Sequence, residues 1–462
     1  MIRRGGVFLL ISGLILIGHS NVFAQRVVTL EEAYRQAMAE SQQIGISREN
    51  LLQAEQEIDR AKSFLYPNVN TDANYQRRAD PKFGPSFGIG ASGAVPILPQ
   101  TQEQFNLTLS QPLYTGGRAT AAFRSAKLGV RGGRLDLSLT TENLLFEVAR
   151  AYYEALKAQR NVEIEENEVR RLEAHLTDAD KRFRVGEAIK TVVLRAQAEL
   201  ADARARLIRA KNDQATTLDQ LALLARIADP FTLADPPSLT LSEKAEAEWV
   251  KTAHARRSDL ERQSANIQIS EEQIKIAKGT FFPTLRLEGR YNWLHQDPQT
   301  PFAITNDRSA LLIFSFPVFE GRLRVAELAQ ARSRHRQTVL QKELLSDQIA
   351  VEVRRSLLNL NALTSEVDVI KAQVAFAREN FALVSRQFAV GLATNIDVLD
   401  ANAALISAER QLTNTTYDRE VAILQVEKSV GVFLDLIPPS AGRREERSPP
   451  SASGPEKKED QK

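Results

Sequence analysis

Two aspartates near the end of the sequence are spaced for a shared charged site. Asp397 and Asp400 are three residues apart near the start of a predicted helix, so both carboxylates lie on one helical face. Carboxylates gathered at a narrow opening attract cations. The same positions also suit ordinary acids that stabilise the positive end of a helix. The residues alone leave both interpretations open.

The residue types used in metal and nucleophilic catalysis are scarce or scattered. The sequence contains no cysteine, which removes disulfides, thiolate metal ligands and thiol catalysis. It has no HExxH-like pair and no evident nucleophile–base cluster. The histidines are far apart, at His19, His175, His254, His295 and His335. We therefore expect no enzyme activity, no bound metal and no cofactor.

A glycine-rich stretch and the overall charge exclude two further functions. Residues 88–93 fit the pattern G-x-G-x-x-G, but a dinucleotide site requires a helix directly afterwards. Here Pro96 and Pro99 follow, and then a predicted strand, so we expect a flexible loop. Lys+Arg total 60 and Asp+Glu 58, which does not suggest a nucleic-acid-binding protein.

The N-terminus has the pattern of an export signal. Arg3 and Arg4 precede the apolar run Val7 to Ile17, and the small-residue site Val22 to Ala24 follows. The run is about eleven residues, whereas a helix needs about 20 to span a bilayer. We expect residues 1–24 to be a cleaved signal peptide; an uncleaved anchor is the alternative.

Proline distribution predicts very long helices. Prolines are absent between Leu113 and Asp229 and between Val318 and Ile437, and proline interrupts helix interiors. Apolar residues recur in steps of three and four through Leu360 to Phe388, which is typical of coiled-coil packing. We predict long helices over 118–182 and 321–388, with antiparallel return helices over 188–225 and 394–433.

The chain contains a tandem duplication. Pro112 to Gly116 matches Pro317 to Gly321, and the turn glycines Gly186 and Gly391 recur with the same offset. Such a long repeat exceeds solenoid units. We predict a first repeat over 25–226, a linker or equatorial segment over 227–256, a second repeat over 257–437 and a disordered tail over 438–462.

Each repeat also contains a predicted strand pair, about 66–114 and 283–319. Along each strand, apolar side chains alternate with polar ones, the pattern of an outer-membrane barrel strand. Aromatic residues suited to lipid interfaces lie near the strand ends: Tyr66, Tyr75, Tyr291 and Trp293. Four strands cannot close a barrel, so several copies must contribute, and three would supply twelve strands.

The duplication, the P-L-Y-x-G-G element from Pro112 to Gly117 and the V-G-L-A-T-N-I-D-V-L-D-A stretch from Val390 to Ala401 resemble the TolC-like outer membrane efflux proteins. The resemblance implies a mainly α fold with a transmembrane β part. It implies a homotrimer with a twelve-stranded outer-membrane β-barrel, in the lipid of a Gram-negative-type bacterium, continued by a periplasmic α-helical barrel. Such channels export drugs, toxic compounds or metal ions with an inner-membrane pump and a periplasmic adaptor.

The resemblance also assigns roles to residues at the predicted hairpin tips. Asp397 and Asp400 match acids that ring the periplasmic entrance. The adaptor-docking positions correspond to Phe183, Val185, Gly186, Phe388, Val390 and Gly391. Relatives with an ionic entrance lock carry charged or hydroxyl groups where this chain has Phe388, Ala393 and Val192. We therefore expect a closed entrance held by apolar packing.

Three further expectations follow. Without an N-terminal cysteine the chain is not lipidated, so the barrel alone would anchor it. A duct for type I protein secretion is an alternative that the sequence does not separate from small-molecule efflux. A periplasmic coiled-coil adaptor or scaffold is an alternative of another class, but such proteins usually carry one helical hairpin, whereas two are predicted here.

Overall fold

The computed structural model describes residues 26–85, 93–228, 230–242 and 244–437. The predicted signal peptide, most of the glycine-rich motif and the C-terminal tail lie outside these described residues. A short hairpin, formed by β3 (Lys82–Pro85) and β4 (Ala94–Leu98), flanks the glycine-rich motif.

The two longest helices have equal length in the two repeats. Helices α3 (Arg118–Arg184) and α7 (Leu323–Ala389) each contain 67 residues, which corresponds to about 100 Å at about 1.5 Å per residue. Their return helices, α4 (Lys190–Ala225) and α8 (Asn395–Val430), contain 36 residues each. A 3-10 turn, Phe433–Leu436, follows α8. Among the described helices, none is both long and apolar enough to span a membrane.

A broken helix precedes the strand pair in each repeat. Helices α1 (Leu30–Glu40) and α2 (Gln42–Ser63) meet at an extended residue, Ser41. Helices α5 (Glu246–Arg256) and α6 (Ser258–Gly279) have the same lengths and meet at extended Arg257. The segment 227–256, predicted as a linker, thus contains a strand, β6 (Phe231–Leu233), and the helix α5. Helix α5 corresponds to α1 of the first repeat, and its eleven residues form only about three turns, too few for the apolar spacing to identify a helix.

Four strands form one antiparallel sheet in the order β2-β5-β7-β8. The strands are β2 (Asn68–Arg77), β5 (Thr101–Tyr114), β7 (Thr284–Asp297) and β8 (Asn306–Ser315). Strand β5 of the first repeat pairs with β7 of the second, and Phe105 lies opposite Trp293 in this register. Phe316 and Val318, predicted on the last strand, lie beyond its end. Pro317 lacks the N–H group that would continue the ladder.

The register brings the apolar residues of all four strands to the same face. Ala73 is opposite Phe105, and Leu109 is opposite Gly289, which is opposite Ala310. Leu312 and Phe314 on this face are 64% and 67% exposed. The other face is polar, and its side chains bond between strands: Asn106 donates to Asp72 at 2.7 Å and Gln104 to Asn292 at 3.2 Å.

The largest buried cluster lies near the middle of α3. Tyr152, Tyr153 and Phe433 are almost fully buried there. The parallel pair of β1 (Arg26–Val28) and β6 closes this cluster. The Tyr152 hydroxyl lies 2.9 Å and 2.6 Å from the carbonyl oxygens of Val28 and Ala234, either of which can accept its proton.

Candidate functional site: the hairpin tips and the sheet

Both helical hairpins turn through the same glycine-centred motif. Gly186 and Gly391 have φ angles of 82° and 81°, which favour glycine because a Cβ atom would be strained there. The Glu187 N–H donates to the Arg182 carbonyl and the Leu392 N–H to the Gln387 carbonyl, each at 2.8 Å. These bonds satisfy carbonyls at the ends of α3 and α7. The two tips are therefore structurally equivalent.

Apolar side chains protrude from both tips. Val185 and Val390 are 70% and 71% exposed, and Leu392 is 81% exposed. Among the other predicted docking residues, Phe183 is exposed and Phe388 is half-buried. Large apolar side chains exposed together are typical of protein contact surfaces. The tips thus present matching apolar points on the two hairpins.

The two predicted entrance acids differ in their surroundings. Asp397 accepts hydrogen bonds from the Thr394 N–H at 2.8 Å and hydroxyl at 2.6 Å, and its own N–H donates to Thr394 at 3.3 Å. This capping box starts α8. The hydrogen bonds from Thr394 lower the pKa of Asp397. Asp400 is exposed one turn further on. The helix-capping interpretation therefore holds for Asp397.

The contact between the two tips is polar. Arg182, in the last turn of α3, donates from Nη1 to the Phe388 carbonyl and from Nη2 to the Ala389 carbonyl, each at 3.1 Å. Its guanidinium carbon lies 4.6 Å from the centre of the Phe388 ring. Within the single chain, the contact between the tips thus combines hydrogen bonds with stacking on Phe388, while closure of the entrance by apolar packing stays a prediction. Val192 packs inside the first hairpin instead.

A second polar contact lies nearby. His175 of α3 and Asn395, the first residue of α8, approach to 2.5 Å between Nε2 and Oδ1. Sequence reasoning did not assign a role to His175, Arg182 or Asn395. Each belongs to a helix whose period was recognised, but the spacing within one helix does not indicate which residue of another helix it will meet.

A buried ionic cluster joins the hairpins further from the tips. Glu165 and Glu168 of α3 are each 3% exposed. Glu165 lies 3.4 Å from both Arg206 of α4 and Arg410 of α8. Asn402 of α8 donates to Glu168 at 2.7 Å and 3.0 Å. Burial raises the pKa of Glu168. Because buried charges are costly without partners, this cluster fixes how three helices pack. It could not be predicted from the sequence, because its residues come from three different helices.

The predicted interface aromatics lie towards opposite ends of the sheet. Tyr75, Tyr291 and Trp293 are on its apolar face, in the half away from the long helices. Tyr66 precedes β2 at the helical end. Tyr291 donates to Asn306 at 3.0 Å, and the Trp293 ring stacks on His295 with 6.2 Å between centroids.

Within the part of the chain that the structure describes, no three His, Cys, Asp or Glu side chains are grouped to hold a metal ion.

The chain has two long helical hairpins, one in each repeat, attached to a four-stranded sheet with an exposed apolar face. This arrangement defines a subunit of the outer membrane channel class. The chain belongs to the outer membrane efflux protein family, whose sequence model matches residues 33–225 and 249–432. This confirms the resemblance to TolC-like proteins.

Known relatives extend over most of the chain. It is 23% identical to the outer membrane protein TolC of Vibrio cholerae, over 89% of this chain and 93% of that protein. It is 24% identical to the alkaline protease secretion protein AprF of Pseudomonas aeruginosa, over 72% of this chain and 71% of that one. The CmeC outer membrane channel of Campylobacter jejuni has the same fold, with a TM-score of 0.74, 16% identity and coverage of 87% and 86%.

Proposed function

We propose that three copies of this chain form a channel that crosses the outer membrane and continues as a helical tunnel through the periplasm. The common apolar face of β2, β5, β7 and β8 carries this proposal. Three four-stranded sheets would close into a twelve-stranded barrel with that face towards lipid and the polar face towards a water-filled lumen.

Strand length supports a membrane location. The edge strands β2 and β8 have ten residues each. At about 3.4 Å per residue they cover about 34 Å, and a tilt of about 45° reduces the height to about 24 Å. The apolar band of outer-membrane barrels is about 25 Å tall. Tyr66 at one end and Tyr75, Tyr291 and Trp293 towards the other suit the two lipid interfaces.

The free edges of the sheet support the trimer. Within the described residues, β2 and β8 each pair along one side only. In a bilayer, unpaired backbone groups cost several kcal/mol each. Pairing β8 of one copy with β2 of the next would satisfy both edges and make the homotrimer a condition of insertion.

We further propose that the channel is passive and is the outer component of a tripartite efflux pump. A periplasmic adaptor would dock on Phe183, Val185, Gly186, Phe388, Val390 and Gly391, and an inner-membrane pump would supply the energy. The proposed cargo is small molecules such as drugs, toxic compounds or metal ions. The alternative is a type I protein secretion duct, which the similarity to a protease secretion protein also supports. A periplasmic scaffold is disfavoured, because it would leave the apolar sheet face in water.

Purification from membranes tests the proposal. We expect trimers in the outer-membrane fraction that dissociate only on heating and that conduct ions in planar bilayers. A water-soluble monomer without conductance would refute it. Deletion of the chromosomal copy separates the two cargoes: increased sensitivity to toxic small molecules indicates efflux, and loss of a secreted protein indicates the secretion duct. Mass spectrometry should find a mature chain beginning at Gln25 without an acyl group.

A further inference from the structure

Arg182 joins the first hairpin to the end of the second. The last carbonyls of a helix lack partners within it and carry its partial negative charge. Arg182 binds two of them in succession, those of Phe388 and Ala389, each at 3.1 Å. It also stacks on the Phe388 ring. One side chain of α3 therefore satisfies the C-terminus of α7 through a charge-assisted contact.

The buried apolar cluster nearest to this contact that includes residues of both hairpins lies further from the tips. Leu172 of α3 and Leu399 of α8 share a buried cluster with Leu200. Nearer the tip, the buried cluster of Ala179, Val193 and Ala196 belongs to the first hairpin alone. From Leu172 to Arg182 is about 15 Å along the helix at about 1.5 Å per residue. Over this length the hairpins can separate without dismantling the packing inside the first hairpin.

The space between the hairpins here is also incompletely filled. A cavity of about 200 Å³ lies between α3, α7 and α8. Two polar atoms of residues that line it, Ser385 Oγ and Asn402 Oδ1, are buried without a hydrogen-bond partner among the described residues. Because of this poor packing and these unpaired polar atoms, separation of the hairpins costs less free energy than separation of a well-packed interface would. Two polar contacts, Arg182 with α7 and His175 with Asn395, cross between the hairpins at this level.

We propose that Arg182 is a latch: its bonds to the Phe388 and Ala389 carbonyls hold the entrance closed, and their release lets the two hairpins separate below Leu172 and Leu399. This inference rests on the proposed function as a channel. It assigns closure to a side chain–backbone contact, which needs no charged partner at positions 388, 393 or 192. A substitution of Phe388 that keeps the backbone intact should preserve most of the latch.

Single-channel conductance of Arg182→Ala tests the latch. We expect a several-fold larger conductance than in the unsubstituted trimer, because both bonds are lost. Arg182→Lys, which keeps the charge but cannot donate from a planar fork to two carbonyls, should be intermediate. The matched control is Arg184→Ala, which removes the same charge from the same tip. Arg184 is paired to Asp180 of its own helix at 2.5 Å, so its loss should leave the conductance unchanged.

The outcomes separate the latch from the channel. If the unsubstituted protein conducts and Arg182→Ala matches it, the latch is refuted and the channel stands. If Arg184→Ala raises conductance as much as Arg182→Ala, general charge at the tip is responsible and the latch is again refuted. If neither the unsubstituted protein nor any variant conducts, the proposed function fails. Should Arg182→Ala fail to form heat-dissociable trimers, Arg182→Lys decides, since it keeps the side chain's volume and charge.

Discussion

At the scale of single residues, Asp397 and Asp400 lie one helical turn apart but differ in their hydrogen bonds. Asp397 caps the N-terminus of α8 through its reciprocal bonds with Thr394, whereas Asp400 is exposed one turn later. This capping box satisfies backbone N–H groups in the first turn of α8. Of the two aspartates, only Asp397 takes part in capping α8. Substitution of Asp400 alone can therefore test cation attraction without removing the cap.

The first prediction concerns cation block at the entrance. In bilayers, Asp397→Ala combined with Asp400→Ala should weaken block by multivalent cations added from the periplasmic side, because threefold symmetry would gather six carboxylates there. Asp400→Ala alone should weaken block while leaving α8 capped. Glu187→Ala, which removes an exposed acid from the other tip, serves as the control. Unchanged block in the double variant would contradict the pore-facing position of both aspartates.

The second prediction concerns Glu427, a buried acid near the equatorial core. Its Oε2 atom has no hydrogen-bond partner within the described residues, and burial raises its pKa from 4.5 to about 7. The folded state thus holds a proton that the unfolded chain releases, so stability should fall as pH rises from about 4.5 to about 7 and then level off. Glu427→Gln cannot ionise, and its Tm should decline less between pH 5 and pH 8.

Thermal unfolding of purified trimers at several pH values measures this effect. Glu187→Gln is a suitable control because Glu187 is exposed, and its pH dependence should match that of the unsubstituted protein. Equal declines in Tm for Glu427→Gln and the unsubstituted protein would show that Glu427 is not the group responsible.

At the scale of elements, periodicity predicted the helices and strands better than it predicted the contacts between them. The three-and-four spacing and the absence of proline indicated the long helices, since both act along one chain segment. The alternation of apolar residues likewise indicated strands whose apolar sides share a face. The contacts of Arg182 with α7 and of Glu168 with Asn402 join residues more than 200 positions apart. No spacing within one helix encodes such pairings.

The third prediction concerns the tips as docking elements. Val185 and Val390 are mostly exposed at equivalent points of the two hairpins, so an apolar partner surface should cover both. Val185→Asp combined with Val390→Asp should strongly reduce cross-linking to the adaptor in cells, because docking would bury two unpaired charges. Trimer formation should not change. Arg170→Asp, on an exposed position of α3 away from the tip, is the control; equal cross-linking in all three proteins would contradict docking at the tips.

At the scale of the whole molecule, the duplication explains why one chain supplies a four-stranded sheet and two long helical hairpins. Each repeat supplies a broken helix, a strand pair and a hairpin, and the repeats join through β5 and β7. That junction was not predictable from alternation, which fixes the face of a strand and not its neighbour. Within the described residues, the edge strands β2 and β8 each lack a partner on one side. A closed barrel therefore requires several copies of the chain.

The final prediction tests how the copies join. If β8 of one chain pairs with β2 of the next as an antiparallel neighbour with aligned ends, Ala73 is opposite Ala310, and both are on the apolar face. Since the sequence has no cysteine, Ala73→Cys combined with Ala310→Cys should yield disulfide-linked dimers and trimers on denaturing gels after oxidation. Each single cysteine variant should remain monomeric on the same gels, because equivalent residues of three copies are far apart.

The face of the strand provides the matched control for this cross-link. Ala73→Cys combined with Asp307→Cys places the two thiols on opposite faces of the sheet, so no linkage should form. A barrel whose strands are shifted in register moves the partner by two residues, and the cross-link would then appear with Arg308→Cys or Leu312→Cys in place of Ala310→Cys. Linkage through any of these three positions supports closure by β2 and β8, and its absence from all three would mean that the copies do not join through these edges.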